Sequence, residues 1–158
     1  MAPGIPGDSS DGIEEPIARM IYCVFIGSFK DSRLSQLAGE YGKRLERLWP
    51  VTVIELKENT KEILKFIESK KGRATLFSLD AHGELFNSAQ FTKKVTQSSR
   101  DLYFFGWGAS GPGPEVAAHF SQNISLSPMT FSHEMARVML MEQLYRAGAT
   151  LKGHPYPK

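Results

Sequence analysis

The side chains best suited to chemistry crowd into the last stretch of the chain, Ser125 to Lys158. Apolar periodicity there predicts a helix over 132–148 that also carries His133, Arg137, Glu142, Gln143, Tyr145 and Arg146. His133, Arg137, Leu140 and Leu144 share one face by i, i+4 and i, i+7 spacing, and Glu142 can pair with Arg146 on another. A His154-Pro155-Tyr156 follows just before the chain stops. An imidazole can exchange a proton or contact phosphate, and a phenol can donate or accept a hydrogen bond. Tyr156 can also stack on a base and Lys158 can pair with phosphate, which suits RNA. Without further context, such helix residues more often form a solvated face or an interface, and such a terminus more often frays.

Three turns further up the chain have the composition of a binding site. They are Leu79-Asp80-Ala81-His82-Gly83, Gly106-Trp107-Gly108-Ala109-Ser110-Gly111-Pro112 and Leu126-Ser127-Pro128-Met129-Thr130-Phe131. Glycines in the second would let backbone approach a ligand without hindrance from Cβ. No phosphate-binding loop with its lysine is present, and neither a nucleophile elbow nor a dinucleotide fingerprint appears. A nucleoside triphosphatase, an α/β hydrolase and a reductase are therefore poor readings.

These turns must be positioned by the elements that flank them. Strands are predicted at 20–26, 51–56, 73–79, 101–106 and 123–126, and helices at 31–48, 60–70, 88–98, 114–120 and 132–148. Asp31 and Ser88 are suitable N-caps, and Ser132 can cap the last helix. The alternation predicts an α/β fold, a mostly parallel sheet with helices on both faces. Ligands in such folds sit at the carboxyl ends of the strands, where all three turns fall.

The 158 residues are 41% hydrophobic and 23% charged, which fits one globular domain with a real core. Residues 1–19 hold Asp8, Asp11, Glu14 and Glu15 against Arg19, a balance of −3, so of the net +2 the segment 20–158 carries +5. That mild basicity is compatible with nucleic acid and does not prove it. Pro, Gly, Ser and acid dominate residues 1–19, which read as a disordered extension ahead of a domain over 20–158. The lone Cys23, in an apolar run, excludes an internal disulfide and reads as a buried, inert thiol. No stretch nears the roughly 20 apolar residues of a membrane span, and no signal-peptide core is visible, so a cytoplasmic protein is expected.

The third turn, the helix after it and the terminal His-Pro-Tyr closely resemble the C-terminus of the RlmH (YbeA) family of SPOUT RNA methyltransferases. The resemblance runs over 20–158. It implies a C-terminal trefoil knot, a homodimer and N3 methylation of a pseudouridine in large-subunit (23S) ribosomal RNA on the assembled ribosome. It also implies S-adenosylmethionine as methyl donor, without a metal. Carried over position by position, the cofactor residues would be Leu79, Gly106, Gly108, Leu126, Ser127, Pro128, Met129, Thr130 and Phe131. His133, Arg137, His154 and Tyr156 would be the catalytic candidates, with His133, His154 or Tyr156 available to accept the N3 proton.

The chain departs from the family at Trp107, where a first glycine is usual, at Ser110 and Pro112 in the same turn, and at Pro157, where a histidine is usual. The indole of Trp107 either fills the pocket, swings outward to stack on adenine or a base, or accompanies a one-residue shift of the turn. The rival reading is a non-catalytic RNA- or ribosome-binding protein that keeps the fold and has an impaired cofactor pocket.

Overall fold

The computed structural model describes residues 19–156, so the acidic stretch before Arg19, and Pro157 and Lys158, lie outside the described residues. Five strands, β1 (Ile21–Ile26), β2 (Val51–Leu56), β3 (Ala74–Leu85), β4 (Asp101–Gly106) and β5 (Asn123–Ser125), form one sheet in the order β2-β1-β4-β3-β5. Every pairing is parallel. The helices are α1 (Ser32–Leu45), α2 (Thr60–Lys70), α3 (Ser88–Thr96), α4 (Gly113–Ala117) and α5 (His133–Leu151).

Side-chain alternation along the strands sorts the apolar residues into two cores. Ile21, Cys23, Phe25, Phe77, Leu102 and Phe104 face α1, α3 and α5. Val24, Ile26, Tyr103 and Phe105 face α2 and α4 through Ile63, Ile67 and Val116. The rings of Phe77 and Phe104, neighbours across β3 and β4, stack at 5.0 Å. Cys23 is fully buried, and burial pushes its thiol up to about 12, well away from the reactive thiolate.

Local signals explain most of the boundaries. Asp31 caps α1 by accepting from the amides of Arg33 and Leu34, and Ser132 caps α5 by accepting from Met135 N. At α3 the cap is Asn87 and not Ser88: Asn87 and Gln90 form a reciprocal capping box, which satisfies two amides where a serine one residue later would satisfy one. The helix expected over 114–120 is the five-residue α4, which ends as a short turn at Phe120.

The larger departure is in β3. The strand expected to stop at Leu79 continues to Leu85, and both Leu79 and Glu84 pair with Ile124 of β5. Residues 80–83 therefore loop out beside the end of β5. Gly83 makes this possible, because a Cβ there would lie 2.5 Å from the backbone carbonyl of Asn123. Gly83→Ala is expected to push β5 from β3 and lower stability by roughly 1–3 kcal/mol, read as a lower urea midpoint.

Candidate active site

The three turns meet at the carboxyl ends of the sheet around a cavity of about 560 Å³. Leu79, Asp80 and Ala81 come from β3, Trp107, Gly108, Ala109, Gly111 and Pro112 from the turn after β4, and Leu126, Ser127, Met129 and Phe131 from the loop after β5. The start of α5 closes the space with His133, Ala136 and Met139. Its wall is largely apolar with a few polar groups, the usual make-up of a small-molecule site, and its volume lies within the ~300–1,000 Å³ of such sites.

Serine hydroxyls hold the third loop in shape. Ser125 Oγ donates to Ser127 O (2.8 Å) and accepts from Ser127 N (3.3 Å), while Met129 N donates to Ser127 Oγ (3.0 Å). Pro128 and Thr130 face outward from this loop and do not line the cavity. Met129 does line it and is 70% exposed.

Trp107 lies in the wall and leaves the cavity open. Its ring is 6% exposed, stacks on Phe105 at 5.6 Å and meets the edge of Phe120 at 5.5 Å. Its Nε1 donates to Ser78 Oγ at 2.8 Å, joining the ends of β4 and β3. Ser78 was invisible as a site residue in the sequence; only its position across the sheet from Trp107 reveals it. Gly106 does not line the cavity, because it is buried where a Cβ would press Phe25 at 3.0 Å. Gly108 does line it, overlain by Glu58, whose Oε2 would be 2.7 Å from an added Cβ.

Arg137 sits one helical turn after His133 and is buried beneath the site. It donates from Nη2 to Ile26 O (2.6 Å) and from Nη1 to Gly27 O (2.8 Å), with Trp107 O at 3.5 Å. The guanidinium also lies 5.2 Å from the ring centres of Phe25 and Phe29. Burial lowers its pKa, while Glu134, Glu55 and Glu58 favour the charged form. Glu134, which the sequence did not single out, is buried beside it. Its carboxylate accepts from Lys30 N (2.9 Å) and Asp31 N (3.1 Å), and these two bonds lead the causes that hold its pKa below the usual range. His133 Nε2 lies 3.7 Å from the same carboxylate.

His154 and Tyr156 are not brought to this cavity by their own chain. The 19-residue α5 is roughly 28 Å long, and His154 follows its end. Tyr156 folds back on the middle of α5, at Glu142, about 14 Å along the axis from His133. Its hydroxyl donates to Glu142 Oε2 at 2.6 Å, and its ring meets Tyr145 at 4.6 Å. Arg146 binds the same Glu142 oxygen at 2.7 Å. Burial, then the bond to Glu142, raises the Tyr156 pKa, so its phenolate is disfavoured in this position.

With this geometry in view, a family model described as "Predicted SPOUT methyltransferase" matches residues 20–157. The chain belongs to the SPOUT methyltransferase family. It is 33% identical over 147 residues to the Ribosomal RNA large subunit methyltransferase H of Gemmatimonas aurantiaca, covering 84% of this chain and 96% of that protein. The RlmH resemblance read from the tail thus extends along nearly the whole domain. Among solved structures, a probable methylase family protein from Haemophilus influenzae Rd KW20 matches with a TM-score of 0.59 at 12% identity, covering 89% of this chain and 71% of that one. The SpoU methyltransferase AviRb from Streptomyces viridochromogenes, solved in complex with AdoMet, matches with a TM-score of 0.51 at 10% identity, covering 83% and 59%. These structural likenesses establish the SPOUT-type fold.

Two expectations follow. Trp107→Ala removes a buried ring and is expected to cost roughly 3–5 kcal/mol of stability by urea unfolding, marking the indole as a wall residue. Glu134 has a lowered folded pKa, so its contribution is full above the unfolded value near ~4.3 and is lost as pH falls through the folded value. The gap in urea midpoint between wild type and Glu134→Gln should therefore be full at pH 7 and shrink below pH ~4.

Proposed function

We propose that this protein is a cytoplasmic, homodimeric RNA methyltransferase that uses S-adenosylmethionine to methylate N3 of a pseudouridine in large-subunit ribosomal RNA on the assembled ribosome. The observation that carries the reading is the convergence of three turns and the start of α5 on one open, largely apolar cavity in a chain of the SPOUT family. The names of its relatives support the RNA substrate, and the AdoMet complex of a structural neighbour supports the methyl donor.

The residues present fit that donor. Leu79, Leu126 and Met139 offer apolar surface for an adenine ring, and the backbone of the Leu126–Phe131 loop and Gly108 offers polar groups at the rim. S-adenosylmethionine, when bound, supplies an electrophilic methyl group to a ring nitrogen. The chain's task is then chiefly to align the acceptor base at near-attack distance, exclude water and remove the N3 proton. Of the three proton acceptors expected from sequence, His133 is the one in the cavity wall, and its side chain is 30% exposed. The Glu134 carboxylate beside it would stabilise the imidazolium formed when Nε2 or Nδ1 takes that proton. Arg137 is a positioning residue that holds the Ile26, Gly27 and Trp107 carbonyls in place.

A homodimer accounts for the distant tail. Neither His154 nor Tyr156 lines the cavity of its own chain, and in a dimer they would serve that of a second subunit. Leu37 on α1 and Met135 and Leu151 on α5 are exposed apolar residues that such a partner would cover. We also read the C-terminal third as threaded into a trefoil knot. That reading is supported by the pairing of Ile124 with both limbs of the looped-out β3 and by α5 packing on both α1 and α3.

Calorimetric titration with S-adenosylmethionine is expected to saturate at one site per subunit. His133→Ala should keep that isotherm and slow methyl transfer to ribosomal RNA by roughly 10²–10⁴-fold. Co-expressed His133→Ala and Tyr156→Ala subunits should recover activity that neither shows alone, because one site of each mixed dimer is then intact. Failure to bind the donor would point to an RNA-binding protein without methyl transfer.

A further inference from the structure

A second cavity, of about 580 Å³, opens at the edge of the sheet between α3 and the first half of β3. It shares no lining residue with the candidate active site. Lys93 and Lys94 in the last turn of α3, and Arg100 just before β4, stand at its mouth as exposed side chains. Arg19 joins the same end, donating from Nη2 to Thr96 O at 3.3 Å. Among the described residues, Glu84 is the acid that lines the cavity, and Asp101 is engaged by the amide of Met20 at 2.9 Å. Gln90, Gln97 and Ser98 line the same cleft, with Gln90 Oε1 accepting from Asn87 N and Ser98 Oγ bonded to the Arg100 backbone. Leu85, 52% exposed, and the half-buried Phe86 form an apolar wall.

Positive charge, hydrogen-bonding amides and an apolar wall in one cleft together match the three parts of a nucleotide. Phosphate pairs with lysine and arginine, base edges bond to amides, and a base face can lie on apolar surface. A purely apolar or basic partner would leave the cations unmatched, and an acidic peptide would lack the base edges and faces for the amides and the apolar wall. We propose that this cleft is a second RNA-binding site, which grips the phosphodiester backbone of a single-stranded segment away from the reacting base. The inference rests on the reading of the protein as an RNA enzyme and adds to it an anchoring surface built from α3 and the β3 edge. Its role is to add affinity, since phosphate contacts position a nucleic acid without specifying its sequence.

The test measures binding of a fluorescently labelled single-stranded RNA oligonucleotide by anisotropy as salt is raised, for the full chain and for Lys93→Ala/Lys94→Ala/Arg100→Ala. All three residues are exposed, so the triple variant should stay folded, checked by its urea midpoint. Calorimetric binding of S-adenosylmethionine, at a cavity these residues do not line, is the internal control. The expected result is an affinity about ten-fold weaker at ~0.1 M salt, with the slope of log K against log salt shallower by about 2, at ~0.7 per phosphate contact. Unchanged affinity and slope would overturn the proposal, as would absence of saturable RNA binding by the full chain. So would an equal loss of S-adenosylmethionine binding, which would show a structural effect of the substitutions. Loss of RNA affinity in a protein that binds no S-adenosylmethionine would instead overturn the methyltransferase reading and leave this cleft standing.

Discussion

A guanidinium buried inside a domain must find acceptors for its protons, and that requirement seats α5. Arg137 meets it with the carbonyls at the end of β1 and comes within 3.5 Å of the carbonyl of Trp107, just past β4. Left unpaired, such a charge would cost several kcal/mol, so the helix has little freedom to slide or turn. Glu134 adds a second tether by accepting from two amides ahead of α1. Both residues lie within one turn of His133, so the contacts that fix the helix also fix the one imidazole in the cavity wall. Among the described residues Arg137 Nε has no partner, and the two terminal nitrogens hold the seat.

The cavity wall and the core are largely the same residues. Trp107 packs among Phe105 and Phe120 on one side and borders the cavity on the other. Its bond to Ser78 satisfies an indole N–H that would otherwise be buried without a partner. A tryptophan can stand at this position because the sheet's second face has room for a large ring above α4. The turn after β4 thus trades a small residue for a rigid one without filling the space its neighbours enclose.

The length of α5 has a consequence for how the molecule works. A helix of 19 residues spans roughly 28 Å of the domain. The histidine at its start faces the cavity, while Tyr145, Tyr156, Glu142 and Arg146 form a compact cluster around its middle. In the homodimer proposed above, that cluster would hold the tail for use at the partner's cavity. The strongly hydrogen-bonded Tyr156 hydroxyl is then better suited to holding the tail's shape than to taking a proton.

Much of this was legible in the chain by itself. Strand periodicity located β1, β2 and β4 within a residue, and polar caps at Asp31 and Ser132 marked where α1 and α5 begin. Those features depend on near neighbours, which is why local sequence reports them. The parallel α/β class and the gathering of three turns at one sheet end follow from the same alternation. The continuation of β3 past residues 80–83 was not legible, because it depends on β5 arriving 40 residues later and on Gly83 admitting its backbone. Nor were the bond between Ser78 and Trp107, the burial of Arg137 and the tethering by Glu134, since each joins residues 29 to 111 positions apart. Residue type and spacing determined what chemistry this chain can offer. Which groups share a cavity was decided by the tertiary fold, because a buried charge or polar group takes its partners from whatever strand end the packing brings within reach.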